Sequence, residues 1–299
     1  MLRNFVWLLV TLAILAFIFQ TTDPQALYSI DIGTFALANA VFLASTVVWA
    51  VAWNRMMDAS WTDVILINTK ALAGFFAPFG FGADLLRAYF ANKKKISGSK
   101  ALSASFTVKF FKFLIVFFWL LISIVLLGLR TNDVAQNLSV FVAALLLTML
   151  GAIMILLFRF KSFVTFLGRF TRNYNPQKLY SHLELHFANL RYANALFIIA
   201  MLLISTALEI LSISLAFQSI GYYLPLLHIF IFSAIISSLV LITFTPQGIG
   251  FVEAGGFFAL SLGYFSVPTH VIGSFLIVWN LIRLWVPSIA ATLAAFLDR

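Results

Sequence analysis

The sequence predicts an all-α, polytopic membrane protein of six spans and two re-entrant hairpins that enter from opposite faces, built as an inverted repeat. Three observations carry that expectation. Of 299 residues, 63% are hydrophobic and only 10% are charged, against roughly 45–50% and 25% in an average soluble domain. Apolar stretches recur along the whole chain, several near the 20 or so residues that cross a bilayer. Two of the stretches are broken at their middles by the same pattern of proline and glycine.

The first stretch, Phe5 to Phe19, follows one cation, Arg3, and could pass for a secretory signal. Phe17, Ile18, Phe19 and Gln20 stand where small residues would mark a cleavage site, so it is expected to stay as a first span. The others run over Thr34–Trp53, Val64–Ala77, Ser103–Leu129, Leu138–Phe158, Ala195–Phe217, Pro225–Phe244, Phe251–Phe265 and Val271–Leu297. Val64–Ala77 and Phe251–Phe265 are too short to cross comfortably.

Orientation follows from Lys and Arg, which hold short loops on the cytoplasmic side. Lys93, Lys94, Lys95 and Lys100 crowd one loop, and Arg159, Lys161, Arg169, Arg172, Lys178 and Arg191 crowd another, so both are expected inside. The connections 20–33, 131–136 and 221–224 hold no Lys or Arg and are expected outside. Because Arg55 and the Lys93 cluster then lie on one side, the stretch between them must enter and leave by the same face.

Its apex is expected at Ala77-Pro78-Phe79-Gly80-Phe81-Gly82, where proline removes a donor and glycine weakens the helix. Phe244-Thr245-Pro246-Gln247-Gly248-Ile249-Gly250 repeats the break. The two align as F-x-P-x-G-x-G, 168 residues apart, and each is followed by one acid, Asp84 or Glu253. Pro78, Gly80 and Gly82 thus match Pro246, Gly248 and Gly250. Counting spans forward puts the second hairpin on the opposite face, the pattern that points to a transporter site near the midplane. The whole chain, 1–299, is expected to be one transmembrane domain. Its first repeat covers 34–158, a basic cytoplasmic loop 159–193, and a second repeat 194–299.

Charge at membrane depth is costly, about 2.5–3.5 kcal/mol per residue on insertion scales, so such residues mark pairs or function. Asp84 and Arg87 are three apart on one helix face, as a site or a local ion pair. Glu253 opens its helix, placed either to cap it or to meet a cation. Arg283 lies too deep to snorkel and needs a carboxylate or a ligand phosphate, which its fork suits. Glu209 sits mid-span and Lys70 inside a hairpin arm. Lys109 and Lys112 are expected to snorkel to lipid phosphates.

Other chemistry finds little support. There is no Cys, and the net charge of +9 points to anionic lipid rather than nucleic acid. His182 and His186 are four apart, but Glu184 between them faces elsewhere, so no metal is expected. His228 and His270 fall near span ends. No nucleophile motif, phosphate loop or cofactor box is evident, and neither catalytic residues nor cofactors are expected.

The run Ala77 to Ala88, with Pro78, Gly80, Gly82, Asp84 and Arg87, resembles the P-x-G-x-G-x-D-x-x-R block of the flippase-like transmembrane domain of lysylphosphatidylglycerol synthetases and its stand-alone relatives. Thr245 to Ala254 resembles the second block, P-G-G-I-G-x-x-E-A, with Gln247 in place of a glycine, and Arg283 matches an arginine of the last helix. The resemblance implies a bacterial inner-membrane protein, multi-pass with both termini cytoplasmic, that moves lipid headgroups between leaflets. The synthetases' separate soluble domain is not expected in these 299 residues, so their transferase activity is not implied.

The expected function is therefore translocation of a phospholipid, anionic or aminoacylated, or of a polyprenyl-linked lipid, and a homo-oligomer is among the expected partners. Asp84, Arg87, Glu253, Arg283, Glu209 and Lys70 are the expected substrate-binding residues, with arginines on phosphate and Asp84 and Glu253 on any amine. An intramembrane lipid-modifying transferase and a membrane scaffold for a cytoplasmic enzyme are the alternatives.

Overall fold

Hydrocarbon offers backbone amides no partner, so a chain this apolar has to satisfy its own hydrogen bonds segment by segment. The computed structural model describes residues 28–57, 59–76, 82–129, 133–170, 181–182, 192–242 and 249–297, with Ala16, Gln20, Thr22 and Gln25; over 75–76, 154–170, 193 and 297 only the backbone is described. Every element among the described residues is helical.

The order is α1 (Ile32–Met57), α2 (Trp61–Ala71) tightening into a 3-10 turn (Leu72–Phe76), α3 (Gly82–Lys93), α4 (Gly98–Gly128), α5 (Asp133–Phe170), α6 (Tyr192–Ser219), α7 (Leu226–Ile242) and α8 (Phe251–Ser261). A last rod follows, made of α9 (Thr269–Asn280), a π turn (Leu281–Trp285) and α10 (Val286–Leu297). Side-chain oxygens take the orphan amides at several starts. Asp31 accepts from the Gly33 and Thr34 amides at 3.1 and 3.3 Å, Ser60 from Asp63 at 3.3 Å and Ser97 from Lys100 at 3.4 Å.

Five helices among the described residues are long and apolar enough to cross a membrane: Ile32–Met57, Gly98–Gly128, Asp133–Ile153, Asn194–Ser219 and Thr269–Phe296. The expected sixth, Phe5–Phe19, lies outside the described residues apart from Ala16. Their outer faces are greasy, with Phe118 60% and Leu147 68% exposed, as suits a lipid solvent.

One boundary differs from the sequence expectation. The segment from Arg159 does not begin as a loop, since α5 continues through Arg159 and Lys161 to Phe170. Phe160, Phe163, Leu167 and Phe170 recur at helical spacing. Charge governs which side a segment faces, not whether it stays helical.

The two halves meet along α1 and α6, which run antiparallel. The Asp31 amide donates to the Ser219 carbonyl at 2.8 Å, the Ser212 hydroxyl to the Ala38 carbonyl at 2.9 Å, the Ser205 hydroxyl to the Ser45 carbonyl at 3.1 Å and Arg55 Nε to Asn194 Oδ1 at 2.9 Å. Ala38, Ser45 and Ala52 on one helix and Ser205, Ser212 and Ser219 on the other are all buried. A small residue every seventh position lets two backbones approach.

Each half also holds a short helix pair. α2 packs on α3, and α7 on α8. In the first pair a Cβ on Gly74 would stand 2.4 Å from the Ala83 nitrogen and the Gly82 carbonyl carbon, so only glycine admits that approach. In the second, Gly250 takes φ +87° just before α8, a conformation that side chains disfavour. Of the matched apex residues, Gly82 opens α3 and Gly250 precedes α8, while Pro78, Gly80, Pro246 and Gly248 lie outside the described residues.

The last rod touches both pairs: α9 packs on α8 and α6, and α10 on α2 with its 3-10 turn. Buried apolar residues correspondingly form two clusters. The larger joins α7, α8 and α9 with parts of α4, α5 and α6, and the smaller joins the end of α1 with α2, α3 and the start of α4.

Candidate functional site

α3 and α8 each begin just after a break, and each carries an acid at its third residue, beside the unpaired first-turn amides that favour negative charge. Asp84 is 0% exposed and Glu253 1%, so neither can rely on water and both must be matched by cations.

Asp84 serves two. Arg87 Nη1 donates to one oxygen at 2.7 Å and Lys109, from α4, donates to the other. Arg87 is held further by Asn68, whose Oδ1 accepts from Nε at 2.8 Å, and by the face of Trp49, 4.0 Å from the guanidinium carbon. Glu253 reaches back with one oxygen to the Gly250 amide and accepts from Arg283 Nη2 with the other at 2.5 Å. Asn280 Oδ1 accepts from Arg283 Nε and Nη2 at 3.1 and 2.9 Å.

The two arrangements correspond. In each half the acid in the first turn of the second short helix is clasped by a cation from the long helix that follows, Lys109 from α4 or Arg283 from the last rod. Arg283 owes its place to a π turn in which the Val286 amide bonds the Leu281 carbonyl. Pro287, one residue on, has no N–H to give the Arg283 carbonyl, and its ring would crowd it in regular α geometry.

A third pair crosses between halves. Lys112 Nζ of α4 donates to Glu209 Oε2 of α6 at 3.0 Å and to Thr206 Oγ1 at 2.8 Å. Lys109 and Lys112 therefore do not reach out to lipid phosphates. A carboxylate within reach at depth holds an ammonium that would otherwise need its whole stem to find the interface.

Arg87, Lys109, Lys112, Glu209 and Arg283 line a cavity of about 270 Å³, with Ser45, Asn68, Ser205 and Ser237 adding polar atoms. It lies where the two apolar clusters part. Asp84 and Glu253 are not in its wall; they stand behind it, holding the cations that are. Lys70 faces elsewhere, 9% exposed, with its ammonium 5.6 Å from the Phe90 ring centre. Among the described residues the wall and its backing place four cations against three carboxylates.

The cavity has an open side. Val47, Trp61 and Ile65 belong to its wall and are also 51%, 55% and 50% exposed, so it opens laterally where α1 passes α2. Trp279 is also part of its wall. Behind it the Phe275 ring stacks at 6.4 Å and Phe217 stacks on Phe275 at 3.8 Å, while Phe42 meets Trp279 edge-on at 5.7 Å.

Sequence reasoning had passed over Asn68, Asn280, Trp49 and Trp279. The two asparagines did carry a signal, being amides set within apolar runs. Among the described residues no three His, Asp or Glu stand close enough to hold a metal; His182 is described, and His186 lies outside the described residues.

The family described as the lysylphosphatidylglycerol synthase TM region matches residues 4–291. No curated protein and no solved structure matches the chain. Since the family match takes in both breaks, both acids and Arg283, the chain belongs to the lysylphosphatidylglycerol synthase TM region family.

Proposed function

We propose that the protein is a lipid translocase. It takes the headgroup of a phospholipid or polyprenyl-linked lipid into the charged cavity, leaves the acyl chains in the bilayer, and carries the headgroup between leaflets without covalent change. The observation that carries this reading is the cavity itself: its wall is cationic, and the lining residues Val47, Trp61 and Ile65 are exposed on the outer surface of apolar helices, the side from which a lipid would enter. Charged groups at depth that line a cavity mark a substrate path.

In this reading the short helix pairs are re-entrant hairpins dipping from opposite faces, the spans number six, and both termini are cytoplasmic at the inner membrane of a bacterium. The antiparallel pairing of α1 with α6 supports an inverted repeat. Asp84 and Glu253 each hold a cation rather than facing the cavity, which favours positioning over the base role that a lipid-modifying transferase would need.

Reconstitution tests the proposal. Purified protein in liposomes should move a fluorescent headgroup-labelled lipid between leaflets and leave its mass unchanged. No exchange above empty liposomes, or recovery of a covalently altered lipid, counts against it. In this Cys-free chain, Phe81→Cys and Ile249→Cys should both react with a water-soluble maleimide if the two breaks meet an aqueous path.

A further inference from the structure

Each half holds a seam between a long helix and the short helix after it: α1 with α2, and α6 with α7. The matched breaks that follow α2 and α7 make the two seams counterparts. Among the described residues no hydrogen bond crosses either seam, whereas four join α1 to α6. The first seam is where the cavity opens, past Val47, Trp61 and Ile65. The second is filled with rings. Phe217 of α6 meets Phe232 of α7 at 6.1 Å, and both pack on Phe275 of α9, at 3.8 and 5.6 Å. All three are 0% exposed, and Phe275 stacks in turn on Trp279 of the cavity wall. The seams also lie toward opposite ends of α1, whose 26 residues span about 40 Å. Trp61 comes four residues after its end at Met57, while Phe217 lies two before Ser219, whose carbonyl accepts from the Asp31 amide at the start of α1.

We infer that the seam between α6 and α7 is a second lateral gate, and that Phe217, Phe232 and Phe275 keep it shut in this conformation. The inference rests on the translocase reading and supplies its exit. A headgroup taken in past α1 and α2 leaves between α6 and α7, into the other leaflet. Rings suit such a gate. Lipid tails are as apolar as the side chains they replace, so a seam held by packing alone parts at small cost and strands no polar group. The hydrogen bonds between α1 and α6 hold α6 in place, so α7 and α9 are the helices that draw away from Phe217.

The chain has no cysteine, so a pair of thiols can be set across the seam alone. The full chain carrying Phe217→Cys and Phe232→Cys, in liposomes with a fluorescent headgroup-labelled lipid, is treated with a bismaleimide that a reductant cleaves. Linking should stop leaflet exchange and reduction should restore it, because the seam parts at every turnover. Exchange that persists in linked protein overturns the gate, as do thiols that never react while lipid is being exchanged. Where the double variant does not fold, single substitutions decide. Phe217→Leu keeps the apolar bulk and removes the stack on Phe275; it should speed exchange about two- to tenfold, the scale of one aromatic pair. Phe230→Leu removes a stack of the same kind between α7 and α4, where Trp119 lies 4.3 Å from Phe230, and should leave exchange unchanged. Equal effects from the two make the rings ordinary packing; they overturn the gate and leave translocation standing. No exchange by the wild type removes translocation, and the gate with it.

Discussion

Asp84 and Glu253 occupy the same place in two different helices: each is the third residue of its helix, each is buried, and each accepts from a cation of the long helix that comes next. Removing either carboxylate strands a buried positive charge. Asp84→Asn and Glu253→Gln should each lower stability by about 3–5 kcal/mol, read as a lower melting temperature in detergent. Pairing Glu253→Gln with Arg283→Gln should recover part of that loss, because two neutral amides bury more cheaply than one lone guanidinium.

Gly74 lies against the backbone of residues 82–83 with no room for a methyl group. Gly74→Ala should force α2 and α3 apart and destabilise by about 1–3 kcal/mol or more, the range for overpacking. Gly151, with nothing within 4 Å of a Cβ built on it, provides the contrast. Gly151→Ala should be neutral or stabilising by up to about 1 kcal/mol. Thermal unfolding of the two variants beside the wild type checks both signs.

Along α1 and α6 the Ser205 and Ser212 hydroxyls donate to backbone carbonyls of the facing helix, at bond energies of about 0.6 kcal/mol between membrane helices. Ser212→Ala should therefore change stability little, while Ser212→Leu, which keeps the helix but spoils the approach to Ala38, should cost several times more. If both variants melt alike, close approach is not what joins these helices.

Pro287 keeps the last rod from closing into regular α geometry beside Arg283. In Pro287→Ala the returned N–H can bond the Arg283 carbonyl and remove the π turn, turning Arg283 away from Glu253. Lipid exchange should fall while the melting temperature holds or rises.

How much of this was legible beforehand follows from what each residue type can signal. Proline and glycine act locally, so the breaks at Pro78 and Pro246 showed in the sequence, and so did the acids after them. Pairing depends on how helices are rotated against one another. α4 is apolar almost all round, and nothing in its pattern says which side Lys109 and Lys112 face. Snorkelling and ion pairing could not be told apart there, and Glu209 could not be assigned its partner. Ser205, Ser212 and Ser219 did repeat at sevens, a sign of close helix contact that was open to inspection. Trp279 gave no sign, because an indole in a cavity wall looks like any other aromatic in so apolar a chain.

The clasps on Asp84 and Glu253 each stay within one half of the chain, whereas Lys112 and Glu209 belong to different halves. A rigid-body displacement of one half against the other would keep the first two intact and pull on the third, together with the hydrogen bonds that join α1 to α6. The clasps thus bind each half into a unit of its own, and Lys112 with Glu209 is the ionic tie between those units at the cavity.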